Sequence, residues 1–227
     1  MSHKFRFSKE SRARMESFAI GEAPATPDTE EEKPEQLEPE EQLPDEPLIV
    51  ETRTDVGKVR ASNQDALIDG EMLWGVADGM GTTLTVLWMS DHFAYIGHVG
   101  DSRVYLIRDG QFRQVTEDHS LVAELYRLGQ LTREQAANHP MRNVITRAVG
   151  TEEQIETDLI VEERRQGDLW LICSDGLYGM VPDEQIEAVL KAHTPARAAD
   201  LLMEKALEAG GRDNVSLVIL LDREGGQ

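Results

Sequence analysis

Four aspartates stand in one recurring local context, directly after or between short apolar runs of β-forming residues. They are Asp78 in Val76-Ala77-Asp78-Gly79, Asp101 in Val99-Gly100-Asp101-Ser102, Asp175 in Ser174-Asp175-Gly176 and Asp213 in Arg212-Asp213-Asn214. An Asp-Gly pair taken alone is an ordinary turn signal. Repetition at the ends of separate strands is different, because strand ends can bring side chains from distant parts of a chain to one edge of a sheet.

The runs themselves are strand-like. Leu48 to Thr52 and Ala66 to Ala77 are β-rich, with Asp69-Gly70 as a hairpin turn between two apolar stretches. Thr82 to Met89, Phe93 to Val99 and Val104 to Ile107 continue as a meander, punctuated by Ser90-Asp91 and Asp109-Gly110. Leu121 to Leu128 then switches to helical spacing, with Ser120 as N-cap and Gly129 as stop. Ile155 to Val161 and Leu169 to Cys173 read as strands, Asp183 to Leu190 and Pro195 to Ala209 as helices, and Val215 to Leu221 as a closing buried strand. Strands first, helices interspersed later and a final strand describe an α+β domain of sandwiched antiparallel sheets rather than alternating βαβ units.

Ahead of this domain the texture changes. Gly21 to Pro47 is dominated by Glu, Pro, Thr and Gln, with few bulky apolar side chains to offset the entropy of ordering a backbone. Residues 1–47 are therefore expected to be a disordered acidic extension, 48–222 the folded domain and 223–227 a C-terminal tail. Met1 to Ile20 places Phe5, Phe7, Met15 and Phe18 among basic residues and reads either as a docking segment or as a frayed terminus.

The formal charge of −20 repels phosphate backbones and anionic lipid, which argues against nucleic-acid and membrane-surface partners. The lone cysteine, Cys173, excludes an internal disulfide and a thiolate-rich zinc site. No apolar run approaches the ~18 residues of a spanning helix, so the expected location is the cytoplasm.

Oxygen donors without neighbouring Cys or His select hard divalent ions such as Mg²⁺ or Mn²⁺. Two such ions can activate a water for in-line attack on phosphorus, while a cationic side chain neutralises phosphoryl oxygens; Arg60 is a candidate for that role. Other phosphate chemistries find no support. Cys173 is followed six residues later by Gly179, where a cysteine-dependent phosphatase needs Arg, and the chain has neither an Asp-x-Asp-x-Thr run nor a Gly-x-x-x-x-Gly-Lys loop. His98 and His119 lie near the motifs as proton donors or as structural residues.

The ordered set of motifs is more specific than its parts. Gly57-Lys58-Val59-Arg60-Ala61-Ser62-Asn63-Gln64-Asp65, Val76-Ala77-Asp78-Gly79-Met80-Gly81 and Gly97-His98-Val99-Gly100-Asp101-Ser102-Arg103 are followed by Thr116-Glu117-Asp118-His119-Ser120, Arg142-Asn143-Val144-Ile145-Thr146-Arg147-Ala148, Ser174-Asp175-Gly176-Leu177 and Gly211-Arg212-Asp213-Asn214-Val215. Over Thr54 to Leu221 the chain resembles the bacterial PPM (type 2C) metal-dependent serine/threonine protein phosphatases.

The resemblance implies an αββα sandwich of two antiparallel sheets with flanking helices and hydrolysis of phosphoserine or phosphothreonine on protein substrates. It implies a binuclear Mg²⁺ or Mn²⁺ centre with a weaker third ion. By position, Asp78, Asp175, Asp213 and the carbonyl of Gly79 correspond to metal ligands, Asp101 to the third-metal position, Arg60 to the phosphate-binding arginine and Asp65 to the residue that orders the attacking water. The region from His119 to Gly150 corresponds to the flap beside the substrate cleft.

Three departures stand out. Gln64 replaces a common Glu, Gly179 stands where some members offer Asp, and Met80-Gly81-Thr82-Thr83 joins directly two stretches that the family separates by a two-helix segment. Without those helices one helical layer is depleted, Trp88 is expected to be exposed, and the bare sheet face calls for a homodimer or a covering partner. The deletion leaves two alternatives to an active enzyme: a catalytically impaired pseudophosphatase that works as a protein-binding module, or a variant that is unstable alone.

Overall fold

The structure, a computed structural model, describes residues 47–79, 82–151 and 154–226. The expected acidic extension and the Met1 to Ile20 segment lie outside the described residues, apart from Pro47. The described strands are β1 (Leu48–Asp55), β2 (Asp65–Asp69), β3 (Leu73–Asp78), β4 (Thr83–Met89), β5 (Phe93–Val99), β6 (Arg103–Arg108), β7 (Gln111–Gln114), β8 (Asp158–Glu163), β9 (Leu169–Cys173) and β10 (Val215–Asp222). The helices are α1 (Leu121–Arg127), α2 (Arg133–Ala137), α3 (Asp175–Tyr178), α4 (Asp183–Ala192) and α5 (Pro195–Glu208).

Strand order divides the domain into two five-stranded sheets, β1-β10-β9-β6-β7 and β2-β3-β4-β5-β8, antiparallel throughout. In β10 the run Val215 to Leu220 is entirely buried because both faces are covered, by helices on one side and by the second sheet on the other. Tyr105, Leu171, Leu217 and Ile219 form one core with Ile186, Ala199, Leu202 and Ala206 from α4 and α5. Trp170, Ile172, Val218 and Leu220 from the opposite face meet Trp74, Val76, Leu87 and Ile96 from the second sheet in another.

The outer face of the second sheet is different. In β4 the even positions alternate with buried Thr83, Thr85, Leu87 and Met89, so Leu84, Val86 and Trp88 point away from the inter-sheet core. Register lines Leu73, Trp88, Tyr95 and Val161 across this outer face, with Val86 flanked by Gly75 and Gly97. A Cβ on Gly75 would meet a Val86 methyl at 2.9 Å and one on Gly97 the other at 3.2 Å, so the small residues let Val86 lie flat. Trp88 is 46% exposed, as the sequence leads one to expect, and Val161 51%. Trp88 stacks on Tyr95 with ring centroids 5.0 Å apart.

Strands β3 and β4 are hairpin neighbours, with Asp78 opposite Thr83. The connection is residues 79–82, whose middle pair lies outside the described residues. Elsewhere the sequence reading holds with small shifts: β8 begins at Asp158 rather than at Ile155, and the short helices α2 and α3 carry no helical periodicity long enough to be read. The expected N-cap is present, Ser120 accepting from the Ala123 amide at 3.3 Å. Gly225 donates to Asp222 Oδ1 at 2.8 Å and Gly226 to the Arg164 carbonyl at 3.2 Å, so residues 223–226 pack on the β8–β9 turn.

Candidate active site

Antiparallel pairing places Asp65, the first residue of β2, directly opposite Asp78, the last of β3. The second sheet thus delivers two carboxylates side by side. The first sheet supplies Ser174 and Asp175 where β9 runs into α3, and the Ser174 hydroxyl donates to Asp65 Oδ2 at 3.0 Å. Ser174 Oγ in turn accepts from the Ser216 amide at 3.0 Å, which ties this junction to β10. Gly176 permits the approach, since a Cβ there would sit 1.9 Å from the Asn214 carbonyl oxygen.

Burial first, and the crowding of like charges second, disfavour ionisation of the cluster. Burial, then Asp175 and Asp65, push the Asp78 carboxyl up to about 8. Burial, then Asp101, Asp213 and Asp65, push Asp175 up to about 7. Asp101 is buried between β5 and β6 and is raised to about 6, by burial first and Asp118 second. Oxygen Oδ1 of Asp65 is buried with no donor group against it.

The arginine comes from the β1–β2 loop. Arg60 Nη2 donates to Asp213 Oδ2 at 2.6 Å, and the guanidinium remains half exposed. The Gly79 carbonyl accepts from the Thr82 hydroxyl, and the Gly79 amide donates to the Gln64 carbonyl at 3.3 Å. The structure therefore sets Asp78 beside both Asp65 and Asp175, holds Asp101 and Asp213 within electrostatic range of the cluster, and sets Arg60 on Asp213. Among the described residues no three His, Cys, Asp or Glu side chains converge on one point as a ready-made metal site. The donor set nevertheless fits hard divalent ions: every ligand is oxygen, one buried carboxylate oxygen lacks a partner, and a cation would relieve the repulsion among the crowded carboxyls.

A cleft of about 970 Å³ opens beside Asp101, Asp175 and Asp213 and runs under α1 and α2 toward α4. Its far wall is organised by Arg103, which pairs with Asp118 at 2.7 Å and lies 3.6 Å above the Tyr178 ring. The Tyr178 hydroxyl donates to the Asp101 carbonyl at 3.0 Å, fixing the turn that carries this carboxylate. Arg133 of α2 reaches Asp183 at 2.8 Å across the cleft.

Both histidines are buried and structural. His98 Nδ1 meets the Thr85 hydroxyl at 2.8 Å and its Nε2 the Glu117 carbonyl at 3.0 Å. His119 Nδ1 accepts from the Gly100 amide at 3.0 Å, and its Nε2 donates to Asp158 at 3.1 Å. Residues the sequence reading did not single out include Ser174, Tyr178 and Asn214, whose partners are remote in sequence. The only available signal was that Ser174 and Asn214 adjoin strand-end aspartates.

The two-sheet antiparallel sandwich thus gathers carboxylates at its strand ends and sets an arginine against one of them. The protein phosphatase 2C family matches residues 58–215, and the chain belongs to that family. It is 45% identical over 148 residues to the serine/threonine phosphatase Stp of Listeria monocytogenes, which is 65% of this chain and 58% of that protein. It is 42% identical over 171 residues to the serine/threonine protein phosphatase PstP of Mycobacterium tuberculosis, 74% of this chain and 33% of that protein. The chain thus spans little more than half of the first relative and a third of the second. The crystal structure of M. tuberculosis PstP superimposes with a TM-score of 0.75 at 32% identity, covering 78% of this chain and 99% of that one. A PstP catalytic domain in complex with two manganese ions superimposes at 0.72 with 31% identity, with the same coverage.

Proposed function

We propose that the chain hydrolyses phosphoserine and phosphothreonine on protein substrates by a metal-activated water. The observation that carries this reading is the meeting of Asp65, Asp78 and Asp175 at the junction of the two sheets, with Arg60 on Asp213 beside them. Family membership and the names of the relatives support it.

Asp78, Asp175, Asp213 and the Gly79 carbonyl would hold two divalent ions, Mg²⁺ or Mn²⁺, and Asp101 a weaker third. Such ions supply Lewis-acid activation of water and neutralise the phosphoryl oxygens. Asp65, held by the Ser174 hydroxyl, orients the attacking water. Arg60, half exposed on the β1–β2 loop beside Asp213, turns from that carboxylate to the phosphoryl group, where its planar fork suits two oxygens. The cleft under α1 and α2 receives the flanking peptide. Signalling in the cytoplasm is the setting we infer, supported by the buried free thiol of Cys173. No helix among the described residues is long and apolar enough to cross a membrane.

The test is release of phosphate from a phosphothreonine peptide by the full chain with Mn²⁺, repeated for Asp175→Asn. Turnover by the wild type and its loss in the variant is expected. Equal release by both overturns the reading.

A second reading, a catalytically impaired module that binds another protein, is favoured by the open outer face of the second sheet. Glu71, Asp91 and Glu163 are exposed at the end of this face where Trp88 and Phe93 lie. With a net charge of −20, two copies repel through such a surface, so a covering partner with Lys or Arg beside apolar side chains fits better than a homodimer. Absence of Mn²⁺ uptake by calorimetry, together with a stable complex by light scattering, is the outcome that selects this reading. Tight uptake by a monomer rejects it.

A further inference from the structure

Asn214 is 3% exposed, and every polar atom of its side chain is spent on one loop. Its Nδ2 donates to the Val56 carbonyl at 2.8 Å and to the Ser62 carbonyl at 3.1 Å, while its Oδ1 accepts from the Gln64 amide at 2.8 Å. These three contacts bracket residues 57–61, the part of the β1–β2 connection that carries Arg60. The loop has no strand ladder of its own. Further in, the Lys58 amide donates to the Gly211 carbonyl at 2.7 Å. Gly57, at φ +77°, passes so close to this segment that a Cβ would lie 2.3 Å from the Asp213 carbonyl oxygen.

The neighbouring residue holds the other end of the arrangement. Asp213 Oδ1 accepts from the Asn214 amide at 2.9 Å and Oδ2 from Arg60 at 2.6 Å. One dipeptide therefore fixes both the carboxylate that Arg60 meets and the backbone from which Arg60 extends. A half-exposed arginine on an irregular loop would otherwise sample many positions, and the ordering entropy would fall on substrate binding.

We propose that Asn214 is the positioning residue for Arg60: by tethering the loop at both ends it presents the guanidinium ready for a phosphoryl group. The role of Arg60 toward phosphate rests on the function proposed above, but the tether does not. Truncation removes two donors and one acceptor and leaves the carbonyls of Val56 and Ser62 and the amide of Gln64 unmet.

The experiment has two arms. In the first, the metal-free full chain is treated with trypsin and cleavage after Arg60 is followed by mass spectrometry. Asn214→Ala is expected to accelerate this cut by at least about tenfold, since three tethering hydrogen bonds are lost and one alone is worth up to about that factor, while circular dichroism stays unchanged. An unchanged rate overturns the tether. Should Asn214→Ala fail to fold, Asn214→Ser, which retains one hydroxyl, takes its place with the same readout.

In the second arm, calorimetry with inorganic phosphate on the Mn²⁺-loaded chain forms a double-mutant cycle with Arg60→Ala. Asn214→Ala is expected to weaken phosphate binding about tenfold with Arg60 present and less than about twofold without it. Additive losses mean that Asn214 acts on the site by a route other than Arg60 and overturn the positioning role. A wild type that binds no phosphate fails the proposed function and with it the positioning role, while the tryptic arm still decides the tether.

Discussion

The side-chain hydroxyl of Thr82 donates to the main-chain carbonyl of Gly79 across the β3–β4 turn. The Gly79 oxygen is the one main-chain donor in the proposed metal site, so a group of the chain itself draws on its electron density. Replacing Thr82 by Val keeps the shape and removes the donor. Mn²⁺ affinity measured by calorimetry is expected to rise about threefold to tenfold, the worth of one hydrogen bond. No change, or weaker binding, means that the Gly79 carbonyl is not a ligand.

Arg60 and Asp213 form an exposed pair, with side chains 50% and 32% accessible. Such pairs contribute little to stability, so Arg60→Ala is expected to shift the unfolding free energy by less than about 1 kcal/mol. Its effect belongs in kinetics: KM for a phosphopeptide should rise well over tenfold, with kcat reduced less, if the guanidinium binds the phosphoryl group in ground and transition states alike. A large loss of thermal stability with unchanged KM contradicts that assignment.

His98 supplies a pH dependence. It is fully buried, facing His119, Thr85 and the Glu117 carbonyl, with Asp118 and Asp158 nearby, and burial followed by His119 lowers its pKa to about 4. Above pH ~6.5 the imidazole is neutral whether folded or unfolded and the linkage is silent. As pH falls from there toward 4, the unfolded chain takes up the proton first. Stability is lost over that window, by about 3 kcal/mol in all. Denaturant titrations of wild type and His98→Gln at pH 7 and pH 4.5 should converge as pH drops. Parallel curves would show that His98 does not carry the loss.

On the outer face, Trp88→Ser removes the largest exposed ring and its stack on Tyr95. The expected cost to stability is about 1 kcal/mol or less. Binding of a hydrophobic dye should fall clearly, and acrylamide should quench Trp88 in the wild type. A wild type that neither binds dye nor is quenched has this face covered.

How much of this could be read from residues alone differs by element. The α+β sandwich was legible because β-rich runs bounded by turn residues come first and helical spacing later, and the bare outer face because Met80-Gly81-Thr82-Thr83 omits the two-helix segment that the resembled family carries. The aspartates were legible as strand-end residues. Their pairings were not, because register alone sets Asp65 opposite Asp78 and no local pattern encodes it. Helix α3 was hidden for a related reason: at four residues, Asp175 to Tyr178 is too short for periodicity. Asn214 stood out only as the neighbour of Asp213, and only the assembled sheets bring the loop around Arg60 onto its amide.

The short β3–β4 turn also sets an order of assembly. From β2 through β5 each strand pairs with the next in sequence, so that part of the second sheet closes by successive hairpins over short stretches of chain. The first sheet has to join β1 to β10, the two ends of the domain, at the full entropic cost of closing that loop. Contacts of low sequence separation form fast and distant ones slowly. Folding should thus begin on the strands that carry Asp65 and Asp78 and be limited in rate by the union of β1 with β10.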